Sequence, residues 1–156
     1  MNGGGKLNAL SLRESINYQS ILDSIRIEEG FDFAAIAFYE QESDISPIKW
    51  CYASGNLNNR YKLIVLRKGK GLAGNVMKTG KRMVIENVAQ LLSSQEQHKY
   101  PIVLCELLTA MVAIPLWYEK KVYGVLLLGQ RNQQPLPKTY KNISLKNKLG
   151  IFNEED

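Results

Sequence analysis

Nineteen residues, Gly69-Lys-Gly-Leu-Ala-Gly-Asn-Val-Met-Lys-Thr-Gly-Lys-Arg-Met-Val-Ile-Glu-Asn87, restrict what this chain can fold into more than any other stretch of it. They read as a glycine-rich turn, a short helix that stops at Gly80, and a short strand from Arg82 to Ile85. A helix entered through such a turn begins with backbone amides that have no intrahelical partner. That is how a small-molecule sensor offers donors to a ligand, so the chain is expected to detect something rather than transform it.

The 156 residues, 45% hydrophobic and 22% charged, suit one domain with a core large enough to fold alone. No run of 18 or more apolar residues is present, and the N-terminus lacks the basic and apolar blocks of a secretory signal. The expected setting is the cytoplasm, with no membrane contact. Residues 1–10 read as a flexible tail or an expression scar, 11–150 as a single domain, and 151–156 as a C-terminal tail.

A formal charge of +5 invites a nucleic-acid reading. The cations argue against it: Lys62, Arg67, Lys68, Lys70, Lys78, Lys81 and Arg82 flank strands and turns, and Lys138, Lys141, Lys146 and Lys148 lie near the C-terminus. Neither a recognised motif nor an aromatic platform accompanies them. An acidic protein partner is the better use of the charge.

Cys51 and Cys105 lie in apolar surroundings, and His98 is the only histidine. A zinc or iron-sulfur centre needs three or four soft ligands, so metal chemistry is not expected. The same scarcity removes a nucleophilic triad unless His98, in the polar loop Ser93 to His98, is its base. Both cysteines are expected to be buried structural thiols.

Local patterns fill in the rest. Leu12, Ile16, Ile21, Leu22, Ile25 and Ile27 recur near helical spacing between a Ser11/Glu14 capping box and Gly30, predicting a helix over 11–29. Phe33 to Tyr39 and Ile48 to Ala53 read as a hairpin, and Lys62 to Leu66 as a further strand. Glu86 to Lys99 reads as a long loop with one helical turn at Val88 to Leu92, a length typical of binding lids. Pro101 opens a second short helix. Thr109 to Trp117 and Val122 to Gly129 form the longest β signal, a hairpin at the centre of the sheet. Beyond Pro135 and Pro137, Tyr140, Ile143 and Leu149 mark a weakly amphipathic helix expected to pack beside the first.

Together these features carry a resemblance. Trp50 with Ser54-Gly55, the run Gly69-x-Gly71-x-Ala73-Gly74-x-Val76 followed by Gly80, Ile85 and Asn87-Val88, then Ile114-Pro-Leu116 and Gly124-Val-Leu126, resemble the GAF domain over roughly residues 11 to 150. The resemblance implies an α/β (α+β) fold. A central antiparallel sheet of about five or six strands would carry terminal helices on one face, with short helices and loops forming a ligand pocket on the other. Within the family the chain is similar to free-standing cytoplasmic nitrate receptors that work with an oxygen-sensing histidine kinase. Nitrate and such a kinase are therefore the implied ligand and partner, and whether the terminal helices make a homodimer stays open.

The chemistry of the residues is compatible with an anion. Helix starts near Gly71 and Pro101 would aim the amides of Leu72, Ala73 and Ile102 at one small ligand, since a helix N-terminus carries about half a positive charge. Leu72, Ile102, Val103 and Trp50 would surround it, the indole N–H being a further donor, with Tyr100 and Pro101 at the rim. Such a site has no cationic fork for a hydrated phosphate, and a monovalent, delocalised anion such as nitrate suits it better, provided Arg67, Lys68 and Lys70 face solvent. Each of these residues also has a plainer reading: the glycines as turn formers, Trp50 as core, Tyr100 and Pro101 as a helix start.

Other GAF branches offer alternatives. Cyclic-nucleotide binders carry an Asn-Lys pair where this chain has Gln130-Arg131, and bilin binders attach chromophore to a cysteine followed by histidine, whereas Glu106 follows Cys105. The enzymatic alternative is free methionine-(R)-sulfoxide reductase, a single GAF domain with several active-site cysteines. Cys105 falls near one such position, but Ala73 stands at the glycine turn. The expectation is a sensor of nitrate, or of another small ligand, with no catalytic residue and no cofactor.

Overall fold

A computed structural model describes residues 16–153. Six strands, β1 (Phe33–Tyr39), β2 (Ile48–Ser54), β3 (Val65–Leu66), β4 (Met83–Ile85), β5 (Ala110–Tyr118) and β6 (Lys121–Gln130), form one antiparallel sheet in the order β3-β2-β1-β6-β5-β4. On one face lies α1 (Tyr18–Glu29). The other carries α2 (Gly71–Thr79), α3 (Val88–Leu91) and α5 (Pro101–Cys105), with α4 (Ser94–His98) stacked on α5.

Two apolar layers account for the strand sequences. Phe33, Ala35, Ala37, Met111, Ala113, Val125 and Leu127 point toward α2 and α5. Ala34, Ile36, Phe38, Val112, Ile114, Leu126 and Leu128 point toward α1. With both faces covered, alternation of polar and apolar residues disappears, and β1 reads as an unbroken buried run. Between the partners of Ile36 and Ala37 the pairing register shifts by one, leaving Cys51 as the extra residue of a β-bulge. Trp50 and Ala53, an odd number of positions apart, therefore share the face that meets α2.

Several elements differ from the sequence expectation. Asn17, with a non-helical ψ of 83°, caps α1 by accepting a 3.1 Å bond from Ser20 N. The helix therefore does not run unbroken from Ser11, and the Ser11/Glu14 box lies outside the described residues. At the other end Gly30 adopts φ 78° and returns its N–H to Arg26 and Ile27, a left-handed stop. Lys62 to Leu66 is not one strand. Asn58 Oδ1 accepts from Arg60 N at 2.9 Å and starts a 3₁₀ turn, Arg60–Leu63, that swings Tyr61 inward and leaves only Val65–Leu66 to pair with β2.

The stretch from Glu86 to Lys99 holds the helical turn expected at Val88 to Leu92, as α3, and adds a second short helix, α4, where only loop was expected. Asn87 caps α3 by accepting from Gln90 N, and Ser93 and Glu96 make a reciprocal capping box on α4. The C-terminal helix is also absent among the described residues. After Pro135 and Pro137 the chain makes a 3₁₀ turn at Tyr140–Asn142, then two left-handed residues, Asn147 (φ 63°) and Gly150 (φ 62°), break any continuation. Its apolar residues still pack where a helix would: Ile143, Leu145, Leu149 and Phe152 are buried against the α1 layer. Lys148 reaches Glu29 at 3.6 Å, and Asn153 pairs with Trp117.

Candidate functional site

The glycine turn is shaped by contact as well as by conformation. Gly69 and Gly71 adopt φ of 85° and 69°, and a Cβ at Gly71 would fall 2.6 Å from Leu66 Cδ2. Gly74 has an ordinary φ, yet its Cβ would meet the Arg67 carbonyl oxygen at 2.2 Å. Gly69 N donates to Gly74 O at 2.7 Å, folding the turn back onto the first turn of α2. The amides of Leu72 and Ala73 lie just beyond this closure and donate to no protein acceptor among the described residues.

The structure gathers the expected residues into one cluster. Trp50, Leu72, Ala73, Ile102 and Val103 are all at most 2% exposed and belong to the same apolar layer, against which Tyr100 packs half-buried. Pro101 is the first residue of α5, as expected, and Tyr100 O accepts from Val103 N at 2.9 Å. Trp50 Nε1 is buried and has no hydrogen-bond partner among the described residues. A buried donor without an acceptor costs about 1–3 kcal/mol, and Arg82 Nη1 and Glu106 Oε2 are in the same position elsewhere among the described residues. Arg67, Lys68 and Lys70 are exposed, and Lys70 with Lys99 lines the groove beside the cluster.

A groove of about 580 Å³ opens beside the cluster, lined by Leu66, Gly69 to Gly71, Asn75, Glu96, Lys99, Tyr100 and Pro101. It separates the start of α2 from the α4–α5 junction. The Glu96 carboxyl is held below the usual range by hydrogen bonds from Ser93, backbone first and then side chain.

Sequence reasoning missed the anchor at the far end of α5. Glu106, fully buried, accepts from Arg131 Nη2 at 2.5 Å and from Leu57 N at 2.8 Å through the same oxygen, Oε1. Arg131 also donates from Nε to Glu106 O at 2.7 Å and from Nη1 to Gly55 O at 2.9 Å. One guanidinium thus ties α5 to the β2 exit and the end of β6. Glu106, directly after an apolar helix, was the only available signal.

The cysteines correct another expectation. Cys51 is exposed at the bulge and Cys105 is half-buried; neither forms a disulfide. Burial, reinforced by the negative charge of Glu106, pushes the Cys105 thiol upward against a smaller opposing pull from Arg60. A thiol held protonated is a poor nucleophile. His98 is exposed, in line with its polar surroundings.

A curled six-stranded antiparallel sheet with α1 on one face and short helices on the other defines a mixed α/β domain of the GAF type. The sequence model of the GAF domain matches residues 15–141, and the chain belongs to that family. It is similar to two solved proteins from Staphylococcus aureus. One is a hypothetical protein, 66% identical, with a TM-score of 0.75 over 78% of this chain and 98% of that one. The other is described as NreA mutated in its nitrate binding site, 63% identical, with a TM-score of 0.79 over 83% of this chain and 94% of that one. A type II free methionine-R-sulfoxide reductase from Thermoplasma acidophilum, 12% identical with a TM-score of 0.60 over 84% of this chain and 81% of that one, shares the fold alone. A search of curated proteins returned no match.

Proposed function

We propose that this chain is a cytoplasmic nitrate sensor without catalytic activity, and that Trp50, Leu72, Ala73, Tyr100, Pro101, Ile102 and Val103 form its binding site. The observation that carries the reading is the buried Trp50 Nε1 with no acceptor among the described residues, in one apolar layer with the residues whose amides begin α2. Nitrate supplies three equivalent acceptor oxygens in a plane and a single charge spread over them. Such an anion is satisfied by neutral donors and the partial positive charge of a helix start, whereas a hydrated dianion needs a cationic fork. Identity of 63% to an NreA described as having a nitrate binding site supports the same ligand.

In this reading nitrate bridges α2 and α5, and the ordering of α3 to α5 alters a surface presented to an oxygen-sensing histidine kinase. A ligand shifts such an equilibrium only by its preference for one state. The test is the thermal unfolding midpoint at constant ionic strength with nitrate, nitrite, chloride, phosphate, cyclic GMP and methionine sulfoxide. At 100 times its dissociation constant nitrate should add about 2.7 kcal/mol, several degrees for a domain of this size. A flat nitrate response beside a shift for another compound would overturn the ligand, and kinase binding that is identical with and without saturating nitrate would overturn the signalling step.

A further inference from the structure

We propose that the open edge at β3 is a docking site for an extended segment of a partner protein in which aliphatic and acidic residues alternate, taken up as a seventh strand. The inference is independent of the ligand. Among the described residues the sheet ends at β3, which pairs only with β2. From 63 to 67 the chain alternates strictly: Ile64 and Leu66 turn into the core, while Leu63, Val65 and Arg67 turn outward. Leu63 is 81% exposed and Val65 55%, and the neighbouring Ile45 is 81% exposed. α1 packs mainly on β1 and β2, and these aliphatic side chains are exposed among the described residues.

Proteins normally blunt such an edge with charge or cover it. Here charge is present, but two of its four cations are unanswered. Lys62 and Arg67 have no carboxylate within salt-bridge distance among the described residues. Lys68 has only Asp44, at 3.6 Å, and Lys49 has Glu40, at 2.9 Å. Arg67 donates from Nη1 to Ile45 O at 2.8 Å and so holds the β1–β2 loop against the edge, joining the apolar and basic residues into one surface.

A second copy of the chain pairing through β3 would bring Lys62 and Arg67 against the same cations, a destabilising arrangement across adjacent strands. An acidic strand answers both features: its backbone extends the ladder, its aliphatic side chains cover Leu63 and Val65 on one face, and its carboxylates on the other meet Lys62 and Lys68.

The probe is a blocked heptapeptide of alternating glutamate and valine, with a lysine-valine version as control, followed by amide hydrogen exchange and chemical shifts of the ¹⁵N-labelled chain. Expected are slower exchange at Val65 and Leu66 with the glutamate peptide alone, and affinity falling as salt rises. The double variant Lys62→Glu with Lys68→Glu, its fold checked by its unfolding midpoint, should reverse the preference and bind the lysine peptide roughly tenfold better than the glutamate one. Unchanged exchange at Val65 with millimolar peptide, shifts that map elsewhere, an unaltered preference in the variant, or concentration-dependent protection of the same amides without peptide would each overturn the proposal, the last in favour of self-association.

Discussion

Arg131 closes on Glu106 with its Nη2 2.5 Å from Oε1, and the pair is shut between α5, the β2 exit and the end of β6. Removing one member leaves the other's charge buried, which typically costs about 3–5 kcal/mol. Glu106→Ala should lower the urea midpoint by that order. The Glu106→Ala/Arg131→Met double variant should recover part of the loss, because no unpaired ion is left behind. A double variant no better than the single one would show that the pair acts only through its separate bonds to Leu57 and Gly55.

Gly74→Ala places a methyl 2.2 Å from the Arg67 carbonyl oxygen, closer than any relaxed contact. The turn must open to admit it. Overpacking of this kind costs about 1–3 kcal/mol, and the shift of the α2 start should weaken nitrate binding as well. Calorimetry and nitrate titration on the same sample check both effects.

Trp50→Phe keeps an aromatic ring in the layer and deletes the buried N–H. The ligand-free protein should lose little stability, since the deleted donor has no partner. Hydrogen bonds to charged groups contribute about 1.5–3 kcal/mol, so nitrate affinity should fall by roughly ten- to a hundredfold. An unchanged affinity would remove Trp50 from the site.

Glu96 predicts a pH effect with a definite sign. Its carboxyl is held below the ordinary range in the folded state, chiefly by the Ser93 backbone N–H, so its contribution is complete at neutral pH. It is lost as pH falls from the usual carboxylate range through the lowered folded value. Acid should therefore loosen α4 before the sheet, with faster amide exchange at Ser94 to Gln97, and Glu96→Gln should flatten that dependence.

Cys51→Ser and Cys105→Ser, singly or together, should leave the nitrate response within a factor of about two, because neither thiol belongs to the proposed donor set. Loss of the response in either variant would favour cysteine chemistry and reopen the reductase reading.

Much of this was legible in the sequence because it is written locally. The apolar runs from Phe33 and Thr109, and the Gly71 to Gly80 helix, depend on neighbours a few positions away, and the structure reproduces them nearly residue for residue. Misreadings arose where two local signals compete. Leu63 to Leu66 is apolar enough for a strand, but the Asn58 side chain captures the Arg60 amide first. Ser93 and Glu96 form a capping box that was present in the sequence, yet α4 buries nothing and so leaves no hydrophobic period. Long-range partners were invisible altogether: nothing near Glu106 points to Arg131, 25 positions away. For the candidate site, the residue types were readable, while the isolation of Trp50 Nε1 is a property of packing alone.

The bulge at Cys51 makes the orientation of the indole a matter of counting. Trp50 shares a face with Ala53 only because one residue between them drops out of the pairing with β1. Were Cys51 drawn into the ladder instead, regular alternation would send either the Trp50 ring or Ala53 to the α1 face, without altering one residue of α2 or α5. A slip of a single position in the pairing would thus turn the proposed donor away while every glycine of the turn still matched, so sequence identity in this region does not by itself transfer the binding property from one chain to another.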